Sequence, residues 1–90
     1  MKNFYEGIPV EQAGEIESLS RLMYELRSNR DLVLQNWGVT EAQSLLAKIE
    51  SGEVAEHPAY EHYLSACVLD QTRESVRESL VALTREVRKQ

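Results

Sequence analysis

His57–Arg88, HPAYEHYLSACVLDQTRESVRESLVALTREVR, is the stretch whose reading decides the fold. Pro58 suits a first helical position, where an N–H has no partner to lose, and no Gly or Pro follows it to the end of the chain. The spacing predicts one helix of about thirty residues, roughly 45 Å long. Its first half carries a broad apolar face of Tyr60, Tyr63, Leu64, Cys67 and Val68. After Asp70 the face narrows to Val76, Leu80, Leu83 and Val87 at steps of four, three and four. A broad face suits packing inside a bundle, whereas alternating threes and fours make the narrow seam of a coiled coil. Traced backward, the same seam passes Arg73, Leu69, Ala66 and His62.

Working outward, Gly52 closes a shorter helix that buries Ala42, Leu45, Leu46 and Ile49, and Glu53–Glu56 forms an acidic connector. Gly38 closes the first helix, and Thr40 with Gln43 reads as a capping box for the second. In the first helix Ile16, Leu19, Met23, Leu26, Val33 and Trp37 form a seam with Arg30 as its polar member. That phase predicts one continuous helix to about Asn36, although Ser28–Asp31 resembles a break. Phe4, Tyr5 and Ile8 are placed to pack back over a helix end. The expected architecture is all-α, a single domain over 1–90 with helices at about 9–36, 41–51 and 58–88. The two long helices run antiparallel, as a helical hairpin or three-helix bundle.

Ninety residues bury only about 60–65% of the surface the unfolded chain exposes, so self-association is expected. The interface falls on Arg73, Val76, Leu80, Leu83 and Val87, giving a homodimer with coiled-coil-like C-terminal packing. The competing destination for that seam is helix one of the same chain. Arg30 and Arg73 then set register by meeting Asp70, Glu74 or Glu78.

Fifteen acidic and ten basic side chains give a net charge of −5, which opposes binding to nucleic acid or to an anionic membrane. The acids concentrate at Glu41, Glu50, Glu53, Glu56 and Glu61, against Lys48 alone, so a basic protein partner is expected at Glu53, Glu56, Tyr60 and Glu61. One cysteine excludes an intramolecular disulfide. The N-terminus lacks a basic region followed by an apolar core, and no apolar run approaches a membrane span, so a cytoplasmic protein is expected.

No pattern points to catalysis or a cofactor. His57 and His62 are five apart, a spacing that does not place two ligands on one helix face; only His57 and Glu61, four apart, could face one another. Cys67 has no His three or four residues away and reads as a small core residue. Trp37 reads as a plug over the helix corner. Gly38-Val39-Thr40 resembles the centre of a helix-turn-helix unit, which would make the chain a DNA-binding regulator, but the presumed reading helix offers a groove only Gln43 and Lys48. The expected function is a non-enzymatic interaction or regulatory module, self-associating and binding a basic partner. The alternative is a toxin-neutralising protein or an accessory subunit of a larger enzyme.

Overall fold

The structure, a computed structural model, describes residues 7–89. Phe4 and Tyr5 lie outside the described residues, whereas Ile8 is half-buried. Three helices follow in order, α1 (Val10–Gln35), α2 (Ala42–Glu50) and α3 (Glu56–Arg88). The first runs uninterrupted through Ser28, as its apolar phase requires. Within α3, His57 is extended (φ −109°, ψ 130°). A residue preceding proline is pushed out of the helical region by the proline ring, so the unbroken rod begins at Pro58.

Both turns are built by the same device. Gly38 (φ +70°) and Gly52 (φ +78°) take the left-handed conformation that side-chain-bearing residues avoid. After α1, the Gly38 amide donates to the Gln35 carbonyl (3.0 Å) and the Val39 amide to Leu34 (3.4 Å). After α2, Gly52 donates to Ile49 (3.1 Å) and Glu53 to Lys48 (3.0 Å). This pair of reversed bonds satisfies carbonyls that a helix end otherwise leaves open, and Val39 and Val54 pack on the core beside each turn. Gly38→Ala should cost about 1–2 kcal/mol by thermal unfolding. A Cβ there meets nothing within 4 Å, so the loss is purely conformational and an unchanged midpoint would contradict it.

The start of α2 differs from expectation. Glu41, extended at φ −134° and ψ 148°, holds the capping position, and no side chain caps the helix. Ala42 and Leu45 are buried, and their phase fixes where the helix begins, leaving Thr40 one residue too early to cap it.

α1 and α3 pack lengthwise and α2 packs on α3. The long pair is antiparallel: moving from Arg30 to Trp37 along α1, the bonded partners step back from Asp70 to His62. On each helix the seam resolves into two rows that repeat every seventh residue. On α1 they are Ile16-Met23-Arg30-Trp37 and Leu19-Leu26-Val33; on α3 they are Ala59-Ala66-Arg73-Leu80-Val87 and His62-Leu69-Val76-Leu83. Every one of these positions is buried or half-buried.

Burial is uneven along the rod. The core cluster, Leu34, Ala42, Leu45, Ala59 and Ala66, sits at the closed end, where α2 covers the hairpin. Ala59 and Ala66 are small enough to let Leu34 and Leu45 reach full burial. Toward the open end Ile16 is the one buried apolar residue among those described. The molecule measures 55 × 21 × 18 Å with a radius of gyration of 17.7 Å, against about 12 Å for a compact domain of this length.

Candidate functional site

Polar contacts lock the closed end. The Trp37 indole Nε1–H donates to His62 Nδ1 at 2.9 Å, with the rings edge to face at 5.6 Å. Accepting that bond requires an unprotonated Nδ1, so this imidazole is held in the tautomer with its hydrogen on Nε2. Lys48 Nζ donates to the Trp37 carbonyl at 3.1 Å and pairs with Glu53 at 3.3 Å, tying the end of α2 to the end of α1. Trp37 thus plugs the helix corner as expected, with a directed partner for its N–H. The sequence carried the signal for that partner, since both residues lie on the seams, one at the end of α1 and one near the start of α3.

Midway along the hairpin, the Arg30 guanidinium reaches Asp31 at 3.0 Å and Asp70 at 3.3 Å. The bond to Asp70 joins α1 to α3 within one chain. Arg73 behaves differently: its Nε is buried without a hydrogen-bond partner.

Val76, Leu80, Leu83 and Val87, the expected interface, are half-buried along the face of α3 that runs beside α1. The hairpin covers them incompletely. α2 sits over the flank of α3 that carries Tyr63 and Cys67. At 100° per residue, Leu69, Val76 and Leu83 fall on the opposite flank, and the matching flank of α1 carries Leu22, Leu26 and Val33. No other described element lies over this side, and Leu22 is 39% exposed.

Among the residues expected to meet a basic partner, Glu53, Glu56, Tyr60 and Glu61 are all exposed. Glu53 is engaged by Lys48. Glu61 meets His57 four residues before it at 2.6 Å. That hydrogen bond and the Glu61 charge hold the His57 imidazole above its ordinary 6.5, and the same bond holds Glu61 below its ordinary 4.5. The imidazole's contribution to stability is full below 6.5 and disappears as pH rises through its raised folded value; the carboxylate's is present above 4.5 and disappears as pH falls through its lowered one. The pair is therefore fully engaged between those limits. Glu61→Gln should return the His57 titration, followed by NMR, toward 6.5; an unmoved curve would show that Glu61 is not its cause. Among the described residues no three His, Cys, Asp or Glu side chains converge on a point where a metal could sit.

Cys67 is a half-buried free thiol packed against the core. Beside it, the Tyr63 phenol is held above its ordinary 10.0, chiefly by the neighbouring Cys67 thiol. Tyr60 stacks on Tyr63 with ring centres 5.9 Å apart. Further along, an open groove of about 850 Å³ lies between the first turn of α2 and α3. Ala42, Leu64, Cys67 and Val68 supply its apolar lining, and Glu41, Asp70 and Glu74 its carboxylates. The groove joins residues about 25 apart in sequence, so spacing along one helix does not reveal it. The sequence does hint at it, because α3 is apolar on too many sides in its first half for two neighbours to cover.

These features define a class: an α-helical hairpin capped by a short helix at its closed end, with apolar strips left along its sides. The chain belongs to the uncharacterized protein MJ0235 family, which it matches over residues 11–88. No curated protein and no solved structure matches it. Among the described residues no helix is long and apolar enough to cross a membrane.

Proposed function

We propose that the chain is a non-enzymatic helical interaction module that self-associates, two hairpins pairing side by side into a four-helix bundle with coiled-coil-like packing. The observation that carries this reading is the half-burial of both seams after the hairpin has closed. Two helices alone cover a seam from one direction, and rows repeating every seventh residue are complementary to more helices of the same kind. Here Val76 and Leu83 of the expected interface contribute from the flank away from α2, together with Leu22, Leu26, Val33 and Leu69. Leu80 and Val87 belong to the row nearer α1. Arg73 lies between, half-buried on the seam that faces α1.

The DNA-reading alternative gains no support from the geometry. Lys48, the cation its reading helix offers, is committed to the Trp37 carbonyl and to Glu53. A cytoplasmic setting accords with a single free cysteine. Light scattering over a concentration series tests the reading. It should give twice the chain mass of 10.3 kDa, and a single-chain mass throughout would remove it.

A further inference from the structure

We propose that the groove between the first turn of α2 and the first half of α3 docks a basic amphipathic helix of a partner protein. This rests on the reading of the chain as an interaction module, and it places the basic partner on a defined surface. Tyr60, Leu64 and Val68 follow one another at steps of four along α3 and are 39%, 44% and 59% exposed. They form an apolar stripe on the side of α3 turned away from α1, where hairpin closure cannot cover them. Leu64 and Val68 line the groove with Ala42 and Cys67, and the start of α2 makes one wall. Such a stripe accepts the apolar face of a helix laid alongside it.

Charge selects the occupant. Among the described residues Arg30 is the one cation lining the groove, and it is already shared between Asp31 and Asp70. With Asp70, Glu41 and Glu74 supply the carboxylates of the lining, beside the neutral Gln43 and Gln71. Glu74 makes an exposed ion pair with Arg77 at 3.3 Å, which exchanges readily with a competing cation. Lys and Arg beside an apolar face therefore find carboxylates, whereas an acidic helix meets repulsion. A second copy fits this groove poorly, because a chain of net charge −5 approaching carboxylates meets repulsion.

The test uses the full chain and two synthetic helical peptides with leucine on one face, one bearing lysine and the other glutamate on the opposite face. The lysine peptide should bind, and its NMR shift changes should cluster at residues 41–43 and 60–74. Leu64→Ser with Val68→Ser should weaken it by roughly tenfold or more, as should Glu41→Lys with Glu74→Lys. Glu17→Lys with Glu25→Lys, on the outer face of α1, should leave affinity within about twofold. Equal weakening by that control pair would show general charge attraction and overturn the proposal. So would comparable binding of the glutamate peptide, or shift changes away from the groove. Because the self-association face lies across the hairpin, the Leu64→Ser, Val68→Ser chain should keep the wild-type mass, so failure of one proposal is distinguishable from failure of the other.

Discussion

Leu45→Ala should lower stability by about 2–5 kcal/mol, the range for deleting a fully buried leucine where the surroundings cannot collapse. Leu45 and Leu34 are the largest fully buried side chains, and Leu45 is the point where α2 enters the shared core. A nine-residue helix has no stability of its own, so losing that anchor frees α2 and uncovers Ala59 and Ala66 together. Single domains of this length hold about 5–13 kcal/mol in total, and one with so few buried residues sits low in that range. The melting midpoint at fixed protein concentration should fall by at least about 10 °C. Leu32→Ala is the control, since Leu32 is 60% exposed and should change stability by no more than about 0.5 kcal/mol. Equal shifts for the two would mean that the core is not centred at the closed end.

Leu22→Glu should convert the proposed assembly to single chains while leaving the helices intact. In the isolated hairpin Leu22 is part of the surface, so the substitution costs the fold little. Between two hairpins the same carboxylate would be buried without a partner, a penalty of several kcal/mol that each copy would impose on the other. Two outcomes are informative. Halved mass with unchanged helical circular dichroism places Leu22 in the pairing face; unchanged mass moves pairing elsewhere.

Much of this architecture could be read from spacing. Gly38 and Gly52 marked the ends of α1 and α2 because few other residues tolerate a left-handed backbone, and the unbroken apolar phase through Ser28 outweighed a capping pattern there. Thr40 misled because capping patterns are local, whereas the start of α2 is set by the burial of Ala42 and Leu45. The Trp37–His62 bond was less accessible. The distance of His62 from His57 in sequence says nothing of it; its place on the α3 seam opposite the end of α1 does. The groove was hidden for a related reason, since the wall it needs comes from a different helix. The seam itself reads identically whether its neighbour is in the same chain or another. Half-burial of Val76, Leu80, Leu83 and Val87 shows that α1 takes one side, and the remaining side carries the argument for a second copy.

Pairing of two hairpins along that side is tested most directly by NMR on a mixture of isotope-labelled and unlabelled chains, filtered to record only contacts between different copies. Contacts between chains should appear at the methyl groups of Leu22, Leu26, Val76 and Leu83. Their absence, or their appearance instead at Leu64 and Val68, would contradict it.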